Sequence, residues 1–339
     1  MSVRVGINGF GRIGRSVFRI LAERDDLQVA AINDLFDNQV LAYLLRYDTV
    51  MGEFHGTVSA DEDFLYVDGR KVVMTAEKSP GAIPWRDLGV ELVVEATGVF
   101  RSRAKLEAHL AAGAGRVLLT VPAKDEIDRM VVLGVNEGDL KPTDRIVSNA
   151  SCTTNCLAPL AKVLHDAFTI EEGFLSTVHA YTNDQRLSDL PHKDLRRSRG
   201  ATVNIIPTTT GAARSVGKVL PALKGKLDGV SLRVPVPDGS IVDFACRVRA
   251  RPRVADVNAA VRTAAEGPMK GILQYSEEPL VSTDIIGNPH SSIFDAPSTQ
   301  AEGDGWVRAV AWYDNEWGYS CRVVDLLERL ARLGPGSAS

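Results

Sequence analysis

The first 34 residues constrain the fold more than any other stretch of the chain. Val3-Arg4-Val5-Gly6-Ile7 reads as a short strand and runs into Asn8-Gly9-Phe10-Gly11-Arg12-Ile13-Gly14, with the glycine spacing G-x-G-x-x-G. Ile13, Val17, Ile20 and Leu21 then recur at helical spacing, and Gln28-Val29-Ala30-Ala31-Ile32-Asn33 reads as a second strand ending at Asp34. A glycine triplet alone is only a tight turn, and an acid after a strand is commonly a helix cap. Strand, glycines, helix, strand and terminal acid in this order form the fingerprint of a dinucleotide-binding βαβ unit. Gly9 and Gly11 let the backbone approach a pyrophosphate, and the helix N-terminus meets it with N–H groups and positive potential. A carboxylate at Asp34 accepts hydrogen bonds from both adenosine ribose hydroxyls and repels a 2′-phosphate, which favours NAD over NADP.

The apolar runs continue. Glu91–Gly98, Arg116–Pro122, Met130–Val135 and Ile146-Val147 are nearly unbroken, as in strands of a parallel sheet covered on both faces. Ligands gather beyond the carboxyl ends of such strands, where Thr97-Gly98, Thr120 and Cys152 fall. Phe64–Val73 reads as an inserted hairpin with Asp68-Gly69 at its turn. Further on the pattern changes. Phe174–Tyr181, Val230–Pro235, Ser240–Ala245 and Val307–Trp312 alternate more, as in a sheet with one exposed or interface face. Gly211–Val219, Asp256–Ala265 and Cys321–Leu333 read as helices, and Gly334–Ser339 as a frayed tail.

Between the two patterns lies Ser148-Asn149-Ala150-Ser151-Cys152-Thr153-Thr154-Asn155-Cys156. It joins a strand to a helix whose Cys156, Leu157, Leu160, Val163, Leu164 and Ala167 share one side. A cysteine at a helix start meets unpaired N–H groups and the positive end of the helix dipole, which favour the thiolate. Two readings stand for Cys152: an activated nucleophile among hydroxyl donors, or a buried inert thiol. Pro159 lies inside this helix, and predicts a bend or an irregular starting turn.

Of six histidines, His179 sits at the end of a strand run and is followed closely by Tyr181-Thr182-Asn183, whereas His165 lies several turns down the cysteine's own helix. Arg196-Arg197-Ser198-Arg199 is a dense basic run. It reads as a solvated loop, a nucleic-acid patch or a phosphate site, and the planar guanidinium fork suits phosphate. Thr208-Thr209-Thr210 before Gly211-Ala212-Ala213 is consistent with strand propensity or with anion binding at a helix start. The formal net charge of −4 argues against a broad nucleic-acid face. Four cysteines, with no C-x-x-C pair and no clustered histidines, argue against a metal site. No apolar run reaches the ~20 residues that span a bilayer, and the N-terminus enters a strand directly, so the expectation is a cytoplasmic protein that meets no membrane.

Three stretches together carry a resemblance: Gly6–Arg15, Ser148–Asn155 and Trp312-Tyr313-Asp314-Asn315-Glu316-Trp317-Gly318-Tyr319. They resemble the phosphorylating glyceraldehyde-3-phosphate dehydrogenases. The likeness runs nearly end to end and includes Leu190–Arg197, Pro207–Ala213 and Ser291–Asp295. The fold class it implies is α/β, a Rossmann-type dinucleotide-binding domain plus an α+β catalytic domain with a mostly antiparallel sheet. The expected division is 1–149, completed by a C-terminal helix at 315–339, and 150–314.

By that resemblance Cys152 is the nucleophile and His179 its base, and a protonated His179 also lowers the thiol's pKa. Ser151, Thr153, Thr182, Arg197, Thr210, Gly211 and Arg233 match two anion sites, for the substrate's phosphate and for inorganic phosphate. Arg12, Ile13, Asp34, Lys78, Thr120 and Asn315 match cofactor contacts, beside Gly9 and Gly11. Leu190-Pro191 matches the NAD-linked glycolytic branch, and a homotetramer is implied. The implied reaction converts glyceraldehyde 3-phosphate to 1,3-bisphosphoglycerate with reduction of NAD, through a cysteine thiohemiacetal and thioester. The alternatives are an erythrose-4-phosphate dehydrogenase, an NADP-linked biosynthetic form, and a binding module for RNA or protein in which catalysis is secondary or lost.

Overall fold

The computed structural model of the chain describes residues 2–334. They form two units, residues 2–131, 138–150 and 320–334 in the first and residues 132–137 and 151–319 in the second. Beyond Gly334, the tail expected to fray lies outside the described residues.

The first unit runs β1 (Val3–Asn8), α1 (Arg12–Ala22), β2 (Leu27–Asn33), α2 (Asn38–Arg46), β3 (Tyr47–Asp48), β4 (Gly52–Glu53), β5 (Val58–Ala60), β6 (Phe64–Val67), β7 (Arg70–Thr75), β8 (Leu92–Glu95), α3 (Arg103–Ala111), β9 (Arg116–Leu119), β10 (Arg129–Met130) and β11 (Ile146–Ser148). Its main sheet has the order β10–β11–β9–β8–β1–β2–β7–β6–β5. Every pairing from β10 to β7 is parallel, and the β7–β6–β5 edge is antiparallel. The chain steps outward from β1 to β2 and later pairs β8 on the other side of β1. That reversal is a topological switch point, where open α/β sheets bind ligands. Apolar strands follow from two covered faces: Val93, Val94, Val117 and Leu119 are buried. The expected hairpin is present, and Asp68 (φ +49°) and Gly69 (φ +77°) have the positive φ pair of a type I′ turn.

One strand expectation is corrected. Of Met130–Val135 only Met130 is in a strand. Beyond it the Val132 N–H takes the Asn136 side chain, Val135 and Asn136 fold back onto the Val132 carbonyl, and Gly134 adopts φ +82°. Burial without ladder partners explains why an apolar run here is not a strand: Val131, Val132 and Leu133 are core residues of a turn.

The second unit contains α4 (Cys152–Phe168), β12 (Ile170–Ala180), β13 (Ile206–Thr209), α5 (Ala212–Val219), β14 (Leu227–Val234), β15 (Ser240–Val248), α6 (Val254–Glu266), β16 (Leu273–Ser276), β17 (Ser292–Asp295), β18 (Gln300–Ala301) and β19 (Trp306–Tyr313), with α7 (Trp317–Arg332) after it. Its sheet has the order β13–β14–β12–β15–β19–β17–β16, antiparallel except at β12–β14 and β16–β17. Helix α4 packs on this sheet and on α5 and α6. Phe174, Val230 and Trp306 point to solvent, which accounts for the alternating pattern.

Helix α4 is continuous from Cys152 to Phe168 through a buried Pro159. The proline supplies no N–H to the turn below it, and burial of Cys156, Leu157, Leu160 and Leu164 offsets that cost. Ala167, assigned to the buried side, is exposed because the helix has by then run past its neighbours. Helix α7 begins at Trp317, one turn before the expected Cys321. Asp314 Oδ1 accepts from the Glu316 and Trp317 N–H groups and starts it early.

Candidate active site

Two sets of residues are built separately, one in each unit. In the first unit β1 ends at Asn8 and the chain turns through Gly9 at φ +94°. A side chain at Gly9 would collide with the backbone of Thr97, so only glycine fits. A side chain at Gly11 would meet nothing, which leaves open space over the start of α1. That start has no side-chain cap and no acidic residue in its first turn. Asp34 holds the loop: its Oδ2 accepts from the Phe10 N–H at 2.7 Å and its Oδ1 from the Phe36 N–H at 3.1 Å. An open, uncapped helix N-terminus beside a half-buried carboxylate fits a dinucleotide's pyrophosphate and ribose.

Arg12 is placed differently from a free phosphate ligand. Its guanidinium is bidentate on Asp48, at 2.9 and 3.1 Å, so the backbone around Arg12 and Ile13 is what faces the open space. Burial alone would raise the Asp48 carboxyl, but the Arg12 fork and the N–H groups of Met51 and Val50 hold it down to about 2. Lys78 is exposed in the loop after β7, where the neighbouring Glu77 is tied through its backbone to the Asn33 side chain. Thr120 is buried at the end of β9, with its hydroxyl and N–H both donating to the Glu95 carbonyl.

Sequence reasoning missed the floor of this loop. Glu95 is fully buried and meets four donors: Asn8 Nδ2 at 2.6 Å, His109 Nε2 at 3.0 Å, and the N–H and hydroxyl of Thr97. Trp85 Nε1 donates to His109 Nδ1 at 3.0 Å. An indole only donates, so His109 carries its hydrogen on Nε2 and gives it to Glu95. The pairing of β1 with β8 sets Asn8 opposite Glu95, and α3 supplies His109.

In the second unit Cys152 is the first residue of α4, and Ser151 is its N-cap. The Ser151 hydroxyl is engaged by the N–H and hydroxyl of Thr154, so it finishes the helix. Ala150, two residues ahead, is held at φ +56°, a conformation costing ~1 kcal/mol or more outside glycine. Cys152 Sγ lies 3.5 Å from His179 Nε2. His179 comes from the end of β12, and the parallel pairing of β12 with β14 puts Arg233 beside it in register. Arg233 Nη1 reaches His179 Nδ1 at 2.9 Å, the Ala180 carbonyl at 2.9 Å and Thr182 Oγ1 at 3.4 Å.

The network assigns the imidazole tautomer. The Ala180 carbonyl can only accept, and it lies 2.7 Å from His179 Nδ1. Nδ1 therefore carries the hydrogen, Arg233 directs its own to Ala180 and Thr182, and the lone pair on Nε2 faces Cys152 Sγ. Burial, and then the charge of Arg233, push His179 down to about 3. The imidazole is neutral at pH 7. This corrects the expectation that a protonated His179 lowers the thiol's pKa: the cation acting on Cys152 is Arg233. Burial raises the thiol above its ordinary value, while Arg233 and the N–H and hydroxyl of Thr153 act against that. The resting pair is a thiol and a neutral base, able to pass a proton from sulfur to nitrogen as sulfur attacks.

Tyr313 was part of a quoted motif but had no assigned role. Its hydroxyl joins Thr153 Oγ1 and Thr177 Oγ1, each at 2.9 Å, and its ring lies edge-on to His179. Thr210 Oγ1 accepts from the Ala212 N–H, and Gly211 is the N-cap of α5, open above. Arg197 is less free than expected. It pairs with Asp184, lies 3.7 Å from Asp194, and donates to Thr208 Oγ1. Asn315, after β19, accepts from Ser240 through Oδ1. Cys156 is fully buried against Ser292 and the carbonyls of Ala311 and Trp312, and burial pushes its thiol far above the ordinary range, so it is a packing residue. Among the described residues no cluster suits a metal ion, and no helix is long and apolar enough to cross a membrane.

Comparison with known proteins bears on both units. Residues 3–103 match the family model described as the NAD binding domain of glyceraldehyde 3-phosphate dehydrogenase, and residues 151–315 match that of its C-terminal domain. A protein of Mycolicibacterium smegmatis named glyceraldehyde-3-phosphate dehydrogenase is 52% identical over 335 residues, covering 96% of this chain and 98% of the relative. One of Borreliella burgdorferi with the same name is 53% identical over 337 residues, covering 97% and 100%. A Streptomyces arenae protein named glyceraldehyde-3-phosphate dehydrogenase 2 is 53% identical over 328 residues, covering 96% and 98%.

Proposed function

The chain belongs to the glyceraldehyde-3-phosphate dehydrogenase family, an NAD-dependent oxidoreductase family, and we propose that it performs the phosphorylating oxidation of D-glyceraldehyde 3-phosphate to 1,3-bisphosphoglycerate. The observation that carries this reading is the 3.5 Å approach of Cys152 Sγ to the bare Nε2 of His179 at the start of α4, beside Arg233.

Cys152 adds through sulfur to the aldehyde carbon, and its proton passes to His179 Nε2. Nε2 returns that proton to the new alkoxide, giving a thiohemiacetal. The α4 N-terminus and the Cys152 N–H are suited to the oxyanion, a contribution of about 3 kcal/mol for one such donor. His179 then takes the hydroxyl proton as the thiohemiacetal is oxidised to a thioester. Bound NAD supplies the hydride acceptor. Gly9, Gly11, Arg12, Ile13, Asp34, Lys78, Thr120 and Asn315 are the residues proposed to hold it. Inorganic phosphate attacks the thioester carbon, the acyl phosphate forms, and the Cys152 sulfur leaves and regains a proton from His179.

Ser151, Thr153, Thr182, Arg197, Thr210, Gly211 and Arg233 are the groups proposed to hold the two phosphates. Arg233, with a buried Nε that has no hydrogen-bond partner and with Nη1 3.4 Å from Thr182 Oγ1, supports this best. For Arg197 the reading requires that an arriving phosphate displace or share the Asp184 carboxylate. The carboxylate of Asp34 supports NAD over NADP. A homotetramer is supported by the apolar side chains that a single chain leaves exposed between residues 187 and 205, Leu187, Leu195 and Val203 among them. A reducing, cytoplasmic setting suits a nucleophile that must stay a thiol, and all four cysteines are free.

The test is NADH formation by the purified protein from glyceraldehyde 3-phosphate, with and without inorganic phosphate, and with NADP in place of NAD. Phosphate-dependent turnover with NAD, lost in Cys152→Ser while NAD binding persists, is the expected result. Turnover independent of phosphate, or retained in the serine variant, would sink the mechanism.

A further inference from the structure

Ser240 opens β15 and is completely buried. Its hydroxyl lies between groups from two other segments. The Ala180 N–H donates to Ser240 Oγ at 3.0 Å, and Ser240 Oγ is 2.5 Å from Asn315 Oδ1. A serine hydroxyl has one hydrogen to give. Sealed from water, it needs a protein acceptor, and Asn315 Oδ1 is the one in reach. The separation agrees, since 2.5 Å is within the range of O–H···O and too short for N–H···O. The Asn315 amide is thus held with its oxygen on Ser240, and its Nδ2 is turned away.

The other half of the network leads to the base. Ala180 follows His179 directly. Its N–H is held by Ser240, and its carbonyl takes hydrogens from His179 Nδ1 at 2.7 Å and Arg233 Nη1 at 2.9 Å. The β12–β15 ladder ends with Val178 opposite Ile241. Past that point Gly239 turns at φ +81°, and the Ser240 side chain supplies the acceptor that a further rung would have given to Ala180. One buried hydroxyl therefore fixes both the Asn315 amide and the peptide carrying the imidazole's anchor.

We propose that Ser240 is a positioning residue that couples the cofactor-facing amide of Asn315 to the base His179. The proposal rests on the reading of Asn315 as a cofactor contact. With oxygen committed to Ser240, Asn315 offers two N–H donors, the complement of a carboxamide oxygen. A ring held by that group has one face toward the reacting carbon. Without Ser240 the amide is free to turn over and offers an acceptor or a donor, so the ring loses its preference.

The test compares Ser240→Ala, Ser240→Thr, Asn315→Ala and the alanine double variant of the full-length enzyme. It uses glyceraldehyde 3-phosphate deuterated at the aldehyde carbon, and NMR reads which face of the NADH ring carries the label. Ser240→Ala is expected to raise KM for NAD about tenfold, to leave KM for glyceraldehyde 3-phosphate within about twofold, and to place label on both ring faces. Ser240→Thr, which keeps the hydroxyl, restores single-face labelling. The double variant is no worse than Asn315→Ala, because both substitutions break one linked unit. Should Ser240→Ala not fold, Ser240→Cys, close in volume with a weak S–H donor, is read the same way. A folded Ser240→Ala with wild-type KM for NAD and single-face labelling, beside an impaired Asn315→Ala, overturns the proposal alone. An unimpaired Asn315→Ala overturns the cofactor reading and the proposal with it.

Discussion

Arg233 and His179 are register neighbours on the parallel strands β14 and β12, and the guanidinium Nη1 lies 2.9 Å from the imidazole Nδ1. A fixed cation beside a buried imidazole keeps that imidazole neutral, which a proton acceptor requires. It also supplies positive charge near the thiol without using the base's own proton.

His179 is held at about 3 by burial and then by Arg233, against 6.5 for an unperturbed imidazole. Arg233→Gln removes the second cause, so the ring should titrate higher, though still below 6.5, as read by NMR of the ring protons. The sign for stability follows. Below pH 6.5 the unfolded chain binds this proton and the folded chain does not. The stability linked to His179 is therefore complete above pH 6.5 and is lost as pH falls toward 3. A wild-type ring that titrates near 6.5 would refute the assignment.

Asp48 is held at about 2 against 3.8, and its side chain is almost fully buried under Arg12. Its stability contribution is present above pH 3.8 and lost as pH falls through 2, and amounts to about 2 kcal/mol at neutral pH. Asp48→Asn should lower urea stability by that amount at pH 7 and by much less at the acid end. It should also weaken NAD binding, by loosening Arg12 at the start of α1. An equal loss at both pH values would point to packing rather than charge.

Glu95 receives four donors and offers none. Glu95→Gln places an amide NH2 against either Thr97 or the Asn8 and His109 donors. His109 cannot turn its acceptor toward it, because Trp85 already donates to Nδ1. The variant should lose about 1–3 kcal/mol of stability, with weakened NAD binding, as measured by thermal unfolding and titration calorimetry.

Asp34 both faces the open helix start and ties the Phe10 N–H. Asp34→Asn retains an acceptor for that N–H and removes the charge. It should keep the loop ordered, lower kcat/KM for NAD severalfold, and raise kcat/KM for NADP. Steady-state kinetics with both cofactors separates the effects, and an unchanged preference would show that charge at this position does not discriminate.

Much of the first unit was legible because its signals are local. Glycine spacing, the two strands and Asp34 are encoded within one short stretch, and the Asp68-Gly69 turn lies between its own two strands. Cys152 was legible as a helix-start cysteine for the same reason. Met130–Val135 was misread because apolar composition reports burial and does not report whether a neighbouring strand is available. The start of α7 was misplaced because its cap, Asp314, looked like part of a motif and not like punctuation.

The sequence alone determined the βαβ unit and the strand-to-helix placement of Cys152, while the candidate residues for base and anion binding were implied by the family resemblance. Periodicity, turn chemistry and helix starts depend on residues a few positions apart. Tertiary structure decided which of those residues act on one another. Parallel pairing of β12 with β14 puts Arg233 on His179, pairing of β1 with β8 sets Asn8 on Glu95, and the end of β15 brings Ser240 to Ala180 and Asn315. Each contact joins residues tens of positions apart, and the pKa of His179 depends on the charge and burial that those contacts create.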